Sequence, residues 1–259
     1  MRTFLDKFFL RSNNLENISQ SLKSLSKQNS VSKIFDAINS FSNSSEVRYV
    51  GGCVRKAINK EKIEDIDLAT NLEPTEVCEV LKKNEINFYE SGIEHGTITA
   101  LIDDYKFEIT SLREDILTDG RHAQVKFSKD WKKDASRRDF TINSIYSDKE
   151  GNLFDPYNGK NDLEIGQINF IGDPEKRIIE DYLRILRYIR FFLNYSKKKH
   201  DPQIIKLLRM NLDGVSKLSK ERLLDELKKI LKINILINLS KDKTILDIME
   251  IIFPELKYF

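Results

Sequence analysis

Two acids one residue apart are the strongest candidates for chemistry in this chain. Asp65 and Asp67 stand in "IEDIDLAT", and in an extended strand alternate side chains share a face. Two carboxylates about 7 Å apart on one face can jointly hold hard cations such as Mg²⁺. Two such ions can activate an attacking hydroxyl and stabilise a leaving pyrophosphate. Glu108, in "KFEIT", is the best-placed third acid. Upstream, Gly51 and Gly52 stand between "VRYV" and "CVRKAIN", a strand passing through a glycine turn into a helix. Glycine lets a backbone approach a phosphate closely, N–H groups at a helix start favour anions, and Arg55 adds a charge-assisted contact. Together these residues fit a nucleoside triphosphate with its metals. Each piece alone also has a purely structural reading: a lone D-x-D as a solvated strand, the glycines as an ordinary turn.

The scaffold these residues need is an α+β one. Strands are expected at "VRYVGG", "IEDIDLAT", "GTITALID" and "YKFEITSLR", the last two joined by "DDY" as a hairpin, with "AQVKFS" as a further strand. "EPTEVCEVLKKNE" reads as a helix capped by Thr75, with Glu76 in its first turn. Val31, Ile34, Phe35, Ile38 and Phe41 carry a helical period near the N-terminus. After "NLFDPYNGKNDLEIGQINFIGDP" the pattern is helical to the end. Strands mixed with helices followed by helices alone predict a mixed-sheet head and an all-helical part, with the switch near Asp173-Pro174. The expected division is an N-terminal helical extension over 1–46, a head over 47–172, and a helical neck with the start of a truncated body over 173–259.

Composition narrows the class. The chain has 259 residues, 40% hydrophobic and 32% charged, with a net charge of +2, which suits a globular protein with a solvated surface. The basic residues are unevenly placed: residues 173–233 hold 16 Lys or Arg against 9 Asp or Glu, an excess that suits a phosphate-backbone partner as well as a solvated helix face. Cys53 and Cys78 form neither metal-ligand spacing nor a disulfide framework, so a reducing, cytoplasmic compartment is expected. "MRTFLDKFFL" is interrupted by Asp6 and Lys7, and "ILKINILINL" by Lys232, so neither reads as a signal peptide or a membrane span. His95 and His122 read as turn or loop histidines, Trp131 as a packing anchor and "SKKKH" as a solvated turn.

Further motifs make the sequence recognisable. "DASRRDFTINSIY", "FDPYNGKNDL", "RIIEDYLRILRYIRF" and "LSKERLLDELKKI" follow "GGCVRK…EDIDLAT" in that order. The series resembles the class II tRNA nucleotidyltransferases, the CCA-adding enzymes and their poly(A) polymerase relatives, over roughly residues 47–235. The resemblance implies a DNA-polymerase-β-like nucleotidyltransferase head, a helical neck, and Mg²⁺-dependent addition of CMP and AMP from CTP and ATP to a tRNA 3′ end without a nucleic-acid template. Two Mg²⁺ ions are expected, and neither a membrane nor a stable protein partner is inferred. By residue, the resemblance puts Gly51, Gly52 and Arg55 on the triphosphate loop and Asp65 and Asp67 on the metal-binding pair. Arg137, Arg138, Asp139 and Asn143 fall on the motif for the nucleotide's sugar and phosphates, and Asp155 and Gly159 on a head-to-neck hinge. Glu180, Asp181 and Arg184 fall on a nucleotide-reading helix, which Glu221 and Arg222 brace, and Arg121 falls on a flexible loop. Lys56 stands where the family's glycine motif usually has an acid.

Taken as one helix, "EKRIIEDYLRILRYIRFFL" gathers Glu180, Asp181, Arg184 and Arg187 within an arc of ~120°. Ile178, Tyr182, Ile185, Ile189 and Phe192 lie on the opposing arc. Asp181 and Arg184 then read either as an ordinary i,i+3 surface pair or as a base reader. Cytosine and adenine both present an amino donor beside a ring-nitrogen acceptor, which an acid and an arginine match. Uracil and guanine reverse that polarity. Within the same chemistry a poly(A) polymerase or an A-only adding enzyme stays open. Outside it stand a non-catalytic RNA-binding remnant and a small-molecule nucleotidyltransferase.

Overall fold

Hydrophobic alternation builds a mixed seven-stranded sheet. In the computed structural model, which describes residue 22 and residues 29–118 and 123–258, the strands are β1 (Val47–Val50), β2 (Ile66–Thr70), β3 (Asn87–Gly92), β4 (Thr97–Ile102), β5 (Tyr105–Ser111), β8 (Tyr146–Ser147) and β9 (Leu153–Phe154). Their order is β3-β4-β5-β2-β1-β8-β9. β2 and β5 run parallel and every other neighbouring pair with a known register is antiparallel. β6 (Arg113–Thr118) and β7 (Ala123–Phe127) form a separate ribbon. The hairpin read from "DDY" is present. Asp103 and Asp104 both take positive φ, 49° and 64°, the backbone of a two-residue I′ turn whose twist matches its strands.

The helices pack as their periodicity dictates, with two differences at their ends. In α1 (Asn29–Asn39), Val31, Ile34, Phe35 and Ile38 are fully buried, but the helix stops before Phe41, which is exposed. α3 (Pro74–Lys83) is capped by Glu73, whose backbone N–H donates to Glu76 at 2.8 Å, and not by Thr75. Pro74 explains the shift: it has no N–H and its fixed φ suits the first helical position, so the cap falls on the residue before it.

The described residues divide into two compact units. The first takes the described parts of Met1–Asp115, Val125–Arg138 and Ile142–Lys160. Its core includes Val50, Ala69, Leu112, Ala135 and Tyr146, with Trp131, Phe154 and Tyr157 packed against them. It also holds α2 (Gly52–Ile58) and α4 (Trp131–Ser136). The second takes the described parts of Ile116–Gln124, Asp139–Thr141 and Asn161–Phe259, so residues 161–172 cluster with the helical part, ahead of the composition change at Asp173-Pro174. Asp155 accepts N–H bonds from Gly159 and Lys160 at 2.8 and 2.9 Å, fixing the chain where the first unit gives way to the second.

The second unit is helical. It contains α6 (Pro174–Glu180), α7 (Leu183–Tyr195), α8 (Pro202–Met210), α9 (Lys220–Ile230), α10 (Ile233–Leu239) and α11 (Lys243–Ile252), with most of α5 (Gly159–Ile165). Asp173 caps α6 by accepting the Lys176 N–H at 2.9 Å, so the helical stretch begins where the Asp-Pro pair predicts. The aromatic core is Phe140 with Phe170 and Phe191 at ring distances of 4.7 and 5.4 Å, and Tyr188 stacked on Phe170. No helix among the described residues is long and apolar enough to cross a membrane.

Candidate active site

The first unit brings the expected acids and the glycine turn together. Asp67 and Glu108 are direct partners across the parallel β2–β5 pair, so their side chains leave the same face of the sheet. Asp65 lies immediately before β2, which starts at Ile66, rather than inside the strand as the alternation argument had it. Its charge is still felt at Asp67. The Asp67 carboxyl is raised above its ordinary value, first by burial, then by Glu108, with Asp65 adding to the effect and Arg138 and Arg55 opposing it. Among the described residues no three His, Cys, Asp or Glu side chains group into a metal cage. Crowded, partly buried like charges are what a cation relieves.

Gly51 and Gly52 form the turn between β1 and α2. Gly51 has φ 65° and ψ −112°, a backbone that only glycine adopts without strain. Its N–H donates to the Ile145 carbonyl at 3.2 Å. A methyl built on Gly51 would stand 3.6 Å from Nη1 of Arg138, and one on Gly52 3.7 Å from Oδ2 of Asp67. The turn, Arg138 and the acid are therefore immediate neighbours. Arg55 is buried on α2 and its guanidinium donates to the Asn143 side-chain carbonyl, which ties the glycine motif to the second motif. Lys56 follows on α2, half-buried.

Sequence reasoning missed Asp134 and Tyr146. Asp134 is 1% exposed. One of its carboxylate oxygens accepts from Arg137 at 2.7 and 2.9 Å. The other accepts from Arg138 at 3.1 Å and from the Tyr146 hydroxyl at 2.6 Å. Burial alone would raise its carboxyl; the Arg138 and Arg137 guanidiniums, with Tyr146, reverse this and hold it well below the usual carboxylate range. The i,i+3 and i,i+4 spacing of Asp134 to Arg137 and Arg138 was the available signal.

The structure separates the arginine motif. Arg137, Arg138 and Asn143 belong to the first unit, whereas Asp139 belongs to the second, where its carboxylate takes two hydrogen-bond donors of Arg187 at 2.6 Å. The Asp139 carbonyl also accepts the Ile171 N–H at 3.0 Å, and the Thr141 hydroxyl donates to Asp162 at 2.7 Å.

The stretch expected as one continuous helix is two helices. α6 ends at Glu180, Asp181 is extended with φ −155° and ψ 103°, and α7 begins at Leu183. The reason is local. One Asp181 carboxylate oxygen accepts the Leu183 N–H at 3.2 Å, and the Asp181 carbonyl accepts the Arg184 N–H at 3.0 Å, so Asp181 starts a helix instead of continuing one. The side chains of Asp181 and Arg184 do not form the i,i+3 ion pair. Asp181 pairs with Arg222 at 2.8 Å, and Arg184 donates to Glu180 and to the Arg177 carbonyl, both at 2.6 Å. Tyr182, between them, packs directly against Gly214: a methyl there would stand 2.2 Å from the ring. Arg121 and His122 lie outside the described residues.

Comparison with known proteins agrees with this geometry. Residues 47–169 match the Poly A polymerase head domain. The chain is 46% identical over 203 residues to the human CCA tRNA nucleotidyltransferase 1, mitochondrial, covering 76% of this chain and 47% of that protein. It is 36% identical over 187 residues to the CCA-adding enzyme of Lactobacillus johnsonii, covering 71% and 46%. The crystal structure of the Bacillus stearothermophilus CCA-adding enzyme in complex with CTP superposes with a TM-score of 0.67 at 28% identity, over 76% of this chain and 47% of that one. The chain spans about half the length of the curated relatives it matches. An α+β fold with a nucleotidyltransferase head is thereby established, and residues 47–169 are similar to the Poly A polymerase head domain.

Proposed function

We propose that this chain adds CMP and AMP to the 3′ end of tRNA from CTP and ATP, without a template, by metal-assisted phosphoryl transfer. The observation that carries the reading is the convergence of Asp67, Glu108 and Arg138 on the Gly51-Gly52 turn. Two Mg²⁺ ions held by Asp65, Asp67 and the nucleotide's phosphates would supply the charge that activates the RNA 3′-hydroxyl and stabilises the leaving pyrophosphate. Glu108 adds negative charge beside Asp67. Gly51 and Gly52 give the phosphates access to backbone, and Arg138 and Arg55 offer positive charge to them. Asn143 orients Arg55. The head assignment to 47–172 and the neck to 173–259 belong to the same reading, as does a cytoplasmic location, which the free thiols Cys53 and Cys78 support. The human relative's name is mitochondrial, and cell fractionation decides between the two compartments.

Base choice is assigned to Asp181 and Arg184, with Glu180 and Arg222 holding them ready and the Arg187–Asp139 pair fixing the next turn of α7. Leaving a buried donor or acceptor unpaired costs about 1–3 kcal/mol, so each variant, Asp181→Ala and Arg184→Ala, should shift the preference for CTP and ATP over UTP and GTP by roughly 5- to 150-fold. The measurement is kcat/KM for all four nucleotides on a tRNA lacking its terminal CCA. Unchanged ratios in both variants would remove base reading from these residues.

A further inference from the structure

We infer that Tyr146 is a positioning residue for the triphosphate, acting through Arg138. The inference rests on the nucleotide reading above and assigns a role to a side chain outside the residues expected to touch the nucleotide.

The geometry is specific. Tyr146 is fully buried in the first unit and pairs with Val50 across β1–β8, one residue before the Gly51 turn. Its hydroxyl donates to Asp134 at 2.6 Å and accepts from Nε of Arg138 at 3.0 Å. Nη2 of Arg138 donates to the same Asp134 oxygen at 3.1 Å. The planar guanidinium is thus gripped along its Nε–Nη2 edge. A grip on that edge fixes the direction of the remaining nitrogen, and Nη1 is the one facing Gly51. The Tyr146 ring is itself fixed: Trp131 meets it edge-on at 5.4 Å and Phe154 packs at 6.0 Å, while Arg48 lies 4.2 Å over the Trp131 ring. A fork held in its working direction before the ligand arrives loses less freedom on binding.

Tyr146→Phe removes the hydroxyl and keeps the ring, so the packing around Trp131 and Phe154 is retained. The probes are inorganic triphosphate and cytidine, each measured by calorimetry with Mg²⁺ on the folded chain, the fold being checked by thermal unfolding. Triphosphate affinity should fall about 5- to 10-fold, within the usual net worth of one hydrogen bond, while cytidine affinity stays at the wild-type value. A merely structural role would weaken both ligands alike, and that result, or no change in either, overturns the inference. A cycle with Arg138→Lys gives a second reading. Lysine cannot be gripped along a planar edge, so if Tyr146 acts through Arg138, the Tyr146→Phe effect should vanish in the Arg138→Lys background. Strict additivity of the two changes contradicts it. If the wild-type chain shows no affinity for triphosphate at all, the nucleotide reading itself fails and takes this inference with it.

Discussion

Asp67→Asn should lower nucleotide incorporation by ~10³-fold or more while making the fold slightly more stable at neutral pH. The loss follows because a metal-held carboxylate contributes several kcal/mol to the transition state, and each 1.4 kcal/mol is tenfold in rate. The stability gain follows from the raised Asp67 carboxyl, lifted by burial and by Glu108. A carboxyl raised in the folded state contributes stability only at low pH and loses it as pH rises through the folded value. At neutral pH the folded protein therefore holds a charge it disfavours, and the neutral amide removes that cost. Thermal unfolding at pH 7 and a labelled-nucleotide assay on the same preparation test both halves. A variant that keeps wild-type incorporation with Mg²⁺ as the only divalent ion contradicts the metal assignment. A lower unfolding midpoint contradicts the electrostatic account.

Asp134 should behave in the opposite way. Asp134→Ala leaves Arg137, Arg138 and the Tyr146 hydroxyl without their shared acceptor in a buried site, and removing one partner of such a network costs about 3–5 kcal/mol. Its carboxyl is depressed in the fold, so its contribution is complete above the unfolded carboxylate range near ~4 and is lost as pH falls through that range toward the folded value. Wild type should therefore lose stability on acidification more steeply than Asp134→Asn. Urea unfolding at pH 7 and at pH 3 measures this. Parallel pH dependences for the two proteins would show that the arginines do not hold Asp134 ionised.

The local parts of this account were legible in the sequence, and the long-range parts were not. The hairpin at Asp103-Asp104, the buried stripe of α1 and the start of α6 at Pro174 each follow from patterns a few residues long. So does the glycine turn ahead of Arg55. The break at Asp181 escaped because an aspartate three residues before an arginine suits both a helix interior and a helix start. What decides is the Leu183 N–H and the distant Arg222. The parallel β2–β5 pairing, which sets Glu108 beside Asp67, is a contact between strands about forty residues apart. Periodicity carries no information about such pairings, although the residue types suggested Glu108. Asp139 shows the same limit: it neighbours Arg138 in sequence, yet it belongs to the second unit and pairs there with Arg187. The order of five motifs told more about family than any one spacing told about geometry.

The most direct test of the central claim is to sequence the 3′ ends of a tRNA incubated with the chain. A tRNA transcript lacking its terminal CCA is incubated with the purified chain and Mg²⁺, first with CTP alone, then with CTP and ATP, and in parallel with UTP or GTP. The product ends are then sequenced. The account predicts cytidines added with CTP alone, a terminal adenosine only when ATP is present, no extension with UTP or GTP, and product from Asp67→Asn reduced ~10³-fold or more. Extension by all four nucleotides alike, or wild-type product from Asp67→Asn, would contradict it.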